Sequence, residues 1–188
     1  MMTANKYTRP WLLACISTLA LSLSLSACDD AGDASEDGES DGADDGGPTV
    51  DEAEIQAKLD AFPTGFTKVN DAPFDTLSHT AAEQVDVWVE DAWVQEYLTI
   101  DPDSTGSDPS FDVGAMIVKD QLTNGERVSM TVMVKADPGF SEAGDWWWAW
   151  TDASAQIGGS GDLGSCTTCH LDRPDDDFVF GVPLDNRP

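Results

Sequence analysis

Two cysteines and a histidine occupy the run Cys166-Thr167-Thr168-Cys169-His170. Two thiols three positions apart can each add across one vinyl group of a haem, and the adjacent His then falls under the iron as an axial ligand. The chain has four Cys in 188 residues. Cys15 lies inside an apolar leader and Cys28 directly follows it, so Cys166 and Cys169 are the pair left to the domain. Three other uses of that pair compete. A disulfide closing two intervening residues would staple very little chain. A thioredoxin-like dithiol belongs to a βαβ context that the sequence lacks. A zinc site needs four ligands, and only the distant His79 could join His170 and the two thiols. One covalently attached haem c per chain, with His170 on its iron, is the reading that uses every residue of the motif.

The residues after the motif narrow the class. Leu171 to Pro188 contain no Met and no His, so a second axial ligand of the electron-transfer type cannot come from downstream. The expected iron is five-coordinate or carries only water, unless His79 reaches it from upstream. Plain electron transfer is therefore the weakest of the haem functions.

The domain that carries the motif begins after residue 50. Before it, Lys6 and Arg9 precede an apolar stretch from Trp11 to Leu25, followed by Leu25-Ser26-Ala27-Cys28. Residues 1–27 read as a lipoprotein signal peptide with Cys28 as the lipidated residue; a plain secretory signal and a membrane anchor are the alternatives. On the lipoprotein reading the protein is exported and membrane-anchored, facing the periplasm or cell exterior. Residues 28–50 hold nine acids and no base. With no large apolar residue from Asp29 to Thr49, they should form a disordered, self-repelling tether. Formal charge over the whole chain is −27, which excludes a nucleic-acid binder. Six of the seven Trp fall in residues 51–188, enough aromatic material for one core.

Within that domain Ile55, Leu59 and Phe62 have helical spacing, and Val85, Val87 and Val89 alternate with polar partners as a strand does. Ala115–Leu122 and Val128–Lys135 read as strands joined through Asn124-Gly125, a hairpin signal. Trp146 to Thr151 forms another strand, and Asp101 to Pro109 is a loop by composition. The fold class is mainly β (α+β), an antiparallel sheet with a few short helices packing on the haem.

Four segments in this order resemble the cytochrome P-460 family, which includes the gas-binding cytochromes c′-beta. They are Val85-Asp86-Val87-Trp88-Val89, Val113 to Asp120, the tryptophan strand after Gly144, and CTTCH followed by Asp177-Phe178-Val179-Phe180. The resemblance covers roughly Pro73 to Phe180. It implies an antiparallel β fold, a homodimer, one c-type haem with an open distal face, and hydroxylamine oxidation or nitric oxide and carbon monoxide binding. An oxidising member would pass electrons to a soluble cytochrome.

Carried over by residue, Cys166 and Cys169 attach the haem and His170 is the proximal ligand. Lys119 matches a lysine that hydroxylamine-oxidising members join to the porphyrin edge. Alternation puts it on the face of Ala115 and Ile117, which either side of the sheet could be. Those members place a carboxylate two residues before the first motif Cys, where this chain has Gly164, and Asp162 is the nearest substitute. Phe74 and Phe111 are candidate distal-pocket residues. Trp146, Trp147, Trp148 and Trp150 are candidates for the haem wall, the core or a dimer contact. Asp175-Asp176-Asp177 is expected to be a solvated turn.

Overall fold

The computed structural model describes residues 49–75 and 82–188. Seven strands among them form one sheet in the order β1-β3-β4-β5-β6-β7, with β2 also on β3. They are β1 (Phe66–Lys68), β2 (Phe74–Asp75), β3 (Gln84–Glu90), β4 (Met116–Thr123), β5 (Glu126–Lys135), β6 (Trp146–Thr151) and β7 (Ile157–Gly161). Every pairing is antiparallel. The protein is thus mainly β with short helices, as the alternating valines and the hairpin signal imply.

Local chemistry explains the main elements. Asn124 and Gly125 both have positive φ (53° and 78°), the conformation of a two-residue I′ hairpin turn, so β4 and β5 are joined as their sequence dictates. Helix α1 (Glu52–Asp60) starts at Asp51, whose carboxylate accepts from the Glu54 N–H at 3.0 Å. It buries Ile55 and Leu59 one turn apart, each contributing about 1.5–3 kcal/mol if fully removed from water. Phe62 lies beyond the helix and packs on Phe66 and Trp88, with ring centroids 5.5 and 5.3 Å away.

Because side chains alternate across a strand, the sheet has two apolar faces and two cores. Under α1, Met116, Val118, Met130, Val132, Val134 and Trp147 make one cluster. On the other face Val87, Val89, Ala115, Ile117, Met133, Trp146 and Trp148 make the second. That second face is covered by α2 (Val94–Tyr97), α3 (Gly164–His170) and the chain after α3. The sequence shows no period for β7, whose run Ile157-Gly158-Gly159-Ser160-Gly161 has no alternation. Its glycines have another use: a Cβ on Gly158 would collide with the Trp150 ring. The indole lies against bare backbone.

The chain after α3 ties back across the second face. Phe180 accepts at its carbonyl from the Tyr97 hydroxyl at 2.9 Å. The Arg187 guanidinium donates to the carbonyls of Val182, Leu98 and Ile100. Asn186 pairs through backbone and side chain with Asp71 and Ala72. The expectation of a solvated turn at Asp175–Asp177 holds for the exposed Asp175 and is overturned at Asp176. Asp176 is fully buried, and its Oδ1 accepts from the N–H groups of Gly106 and Ser107 at 3.1 and 2.8 Å. The 101–109 loop brings donors to it, which offsets the cost of burying a carboxylate.

Candidate functional site

Helix α3 is the motif itself. Residues three and four apart share a helix face, so Cys166, Cys169 and His170 come to one side, and all three line a cavity of about 460 Å³. That size is ordinary for a cofactor or ligand pocket, roughly 300–1,000 Å³. Both thiols are free. The Asp162 carboxylate accepts from the Thr167 hydroxyl at 2.5 Å, steadying the helix start. Asp162 is thereby engaged, and it is not among the residues that line the cavity.

His170 is buried, and its Nδ1 lies 2.5 Å from the Phe178 carbonyl oxygen. A carbonyl only accepts, so Nδ1 carries the proton and Nε2 keeps its lone pair. A backbone acceptor on one ring nitrogen is the usual way to orient the other toward a metal. Burial above all, with Lys119's positive charge adding to it, pulls the imidazole pKa down to about 4, against a small raising effect of the Phe178 carbonyl. A histidine held neutral at physiological pH is ready to ligate. Its ring packs on Trp148 and Phe180, at centroid distances of 5.8 and 5.2 Å.

The acceptor carbonyl belongs to an unusual segment. Asp177 and Phe178 have φ of 50° and 61°, two successive non-glycine residues in the left-handed region. Each such residue costs about 1–2 kcal/mol, so neighbours must hold it. Lys135 donates to both Asp177 carboxylate oxygens at 2.5 and 2.7 Å. Trp146 Nε1–H donates to the Asp177 carbonyl at 2.7 Å. Burial raises the Asp177 pKa, with the Lys135 contact working in the opposite sense.

The structure answers the question of Lys119's face. Ala115 and Ile117 belong to the cluster on the cavity side, and Lys119 lines the cavity together with Ile117. Its ammonium is 5.8 Å from the Phe180 ring centroid. Desolvation lowers its pKa to about 8, while the negative charge of Cys166 and Cys169 as thiolates raises it. Lys119 is partly exposed.

Among the other candidates, Phe74, Trp148 and Trp150 line the cavity. Trp146 shares the cluster but packs on Phe111, 5.6 Å between centroids, and Trp147 faces the opposite core. Phe111 lies between Trp93 and Trp146, away from the cavity wall. Gly164 starts α3, and a Cβ there would meet nothing within 4 Å. His79 and Cys28 lie outside the described residues.

Sequence reasoning missed Thr131 and Phe180 as wall residues. Thr131 pairs with Lys119 across β4 and β5, but only because the register shifts after Gln121. Counting back from the turn would have put Met130 there instead. Phe180 is quoted in the family resemblance, yet nothing in its type says that it separates Lys119 from His170.

These features fit a haem c. The donor set is two free thiols and a neutral, oriented imidazole on one helix face. In the same wall the buried Trp148 Nε1–H has no acceptor among the described residues, as expected of a wall shaped against a non-protein group. Among the described residues no cluster of three or more His, Cys, Asp or Glu could hold a metal ion alone, so His170 as a single ligand suits an iron whose other ligands come from a macrocycle. Comparison with known proteins points the same way. No curated protein matches the chain, but the family model for cytochrome P460 matches residues 87–181, from mid-β3 through α3 to Gly181. That span is half of the chain and contains Lys119, both cysteines and His170, and it makes the protein a c-type haem cytochrome of the cytochrome P460 family.

Proposed function

We propose that Cys166 and Cys169 hold one haem c through thioethers, that His170 is its proximal ligand, and that the protein oxidises hydroxylamine or a related small nitrogen compound. The observation supporting this most is Lys119: the counterpart of the cross-linked lysine of hydroxylamine-oxidising relatives lines the same cavity as the two cysteines and the histidine. Bound there, haem would supply an iron that accepts electrons from a small ligand and passes them on.

The chain's own residues do the remaining work. Each thiol adds its S–H across one vinyl C=C, with no electrons gained or lost. His170 stays neutral and keeps Nε2 for the iron. Val87, Ile117 and Met133 give the cavity an apolar wall, which limits water and strengthens electrostatics inside. Burial already lowers the Lys119 pKa to about 8, so a sizeable fraction of its amine is neutral near that pH. A neutral amine is a nucleophile. Its attachment to the ring edge would release two protons and two electrons, the electrons going to the soluble cytochrome that serves as acceptor in the main reaction.

A second reading, binding of nitric oxide or carbon monoxide without turnover, is favoured by Gly164. Oxidation needs a base for the protons of bound substrate, and the family's carboxylate position is a glycine here. The space beside it is open, so Gly164→Glu should raise hydroxylamine turnover, by about a hundredfold or more where the carboxylate is correctly placed. The decisive test combines turnover of hydroxylamine with an oxidised cytochrome and mass spectrometry of the tryptic haem peptide. Turnover together with a peptide that joins CTTCH to the Lys119 segment supports oxidation. A free Lys119, no turnover, and ferrous spectra that respond to carbon monoxide support gas binding. Haem that extracts into acid–acetone, or that survives Cys166→Ser with Cys169→Ser, would refute the attachment.

The same reading places the protein outside the cytoplasm, lipid-anchored at Cys28 with residues 28–50 as a tether and with a second copy as dimer partner. Among the described residues no helix is long and apolar enough to cross a membrane. Cys28→Ala should release the protein from membranes.

A further inference from the structure

The Phe178 carbonyl sets the proton position on His170, and the structure shows what holds that carbonyl. Lys135 and Trp146 are directly paired on β5 and β6, and both reach the single residue Asp177. Lys135 takes its carboxylate through two hydrogen bonds, and Trp146 takes its backbone carbonyl. The Lys135 ammonium also lies 5.1 Å from the Trp146 ring centroid. One residue on, Phe178 donates its N–H to the Arg173 carbonyl at 2.8 Å. Its ring lies so close to Gly144 that a Cβ there would collide with it. The left-handed pair Asp177-Phe178 is thus fixed by the sheet on one side and by the end of the motif segment on the other. Neither Lys135 nor Asp177 touches the main cavity, and both side chains are only 15% exposed. An ion pair this buried is a poor device for stability alone, since desolvation consumes most of the attraction.

We propose that Lys135 and Asp177 are positioning residues for the proximal histidine: their ion pair clamps the Phe178 carbonyl against His170 Nδ1–H and so sets the basicity of Nε2. A short, fixed hydrogen bond on Nδ1 makes an imidazole a stronger electron donor. That lowers the reduction potential of the iron it ligates and stiffens the bond to it. The inference rests on His170 being the axial ligand.

The test uses the haem-loaded protein and two readouts other than turnover, the midpoint potential and the iron–histidine stretching band of the ferrous form in resonance Raman. Lys135→Met keeps the apolar stem and removes the clamp; it should shift the potential upward and the band to lower frequency. Lys135→Arg should restore both toward wild type. Asp177→Asn keeps one acceptor and tolerates the left-handed conformation, so it should give a smaller shift of the same sign. A folded Lys135→Met or Asp177→Asn protein with wild-type potential and band overturns the proposal, leaving the pair structural only. Should neither variant fold, the milder Lys135→Gln, which keeps a neutral donor to Asp177, decides: a potential and band shifted in the same directions support the clamp, and wild-type values overturn it. If the ferrous wild type shows no iron–histidine band, it is the ligand assignment that fails, and the two failures are told apart.

Discussion

An ammonium facing an apolar cavity costs stability, and Lys119 is the residue that bears this cost. Its pKa near 8 in the fold lies below the ordinary lysine value of 10.5. Below pH 8 the group is charged in both folded and unfolded states, and the full penalty applies. Between 8 and 10.5 the unfolded chain binds the proton more than the folded one does, so stability rises with pH there. Lys119→Met should therefore stabilise the protein at pH 7 by about 1–3 kcal/mol, and the gain should shrink from about pH 8 upward and be gone above 10.5. Denaturant unfolding followed by tryptophan fluorescence measures both. A wild-type protein whose Lys119 is already bonded to the ring should show no such pH dependence, because no ammonium remains to titrate.

Among the strands, β7 is the instructive one. Its sequence carries no alternation, and the reason is that its glycines form the floor for Trp150, a half-exposed indole at the cavity rim. Gly158→Ala should push the ring off that floor, costing about 1–3 kcal/mol by overpacking, read as a lower melting temperature. Trp150→Ala should instead widen the mouth and speed carbon monoxide binding, measured by flash photolysis. The hairpin, by contrast, was readable, since Asn124-Gly125 permits little besides an I′ turn. So were β3, whose alternating valines are imposed by burial, and β6, an aromatic run buried on both faces of the sheet. The haem motif was legible because its chemistry fixes residue type and spacing together. The neighbours of that motif were not. Thr131 reaches Lys119 only through a register shift, Asp176 is buried because a distant loop supplies its donors, and Phe111 lies outside the cavity because Trp93 and Trp146 hold it. Contacts that depend on where two far segments meet leave no local trace.

Charge governs how the domain as a body meets other molecules. Residues 51–188 contain seven Lys and Arg, and each has an internal use. Lys58, Lys68, Arg127, Lys135 and Arg173 pair with carboxylates. Arg187 serves backbone carbonyls, and Lys119 faces the cavity. The surface left to solvent is acidic almost throughout, so an electron acceptor would be steered to it by basic charge. Reduction of a basic cytochrome should slow by about tenfold or more as ionic strength rises from low to high, while an acidic cytochrome should show the reverse or no trend. Stopped-flow mixing at graded salt would show it.

The segment after α3 also dictates an order of maturation. All seven strands precede the motif in the chain, and Phe180, Asn186 and Arg187 latch onto Tyr97, Ala72, Leu98 and Ile100 only after it. An enzyme that joins thiols to vinyl groups needs the CTTCH peptide open, so the latch must close last, over a sheet already formed. A chain denied haem should keep its strands yet leave that final stretch cleavable by protease, whereas a chain loaded before digestion should come through the same treatment intact.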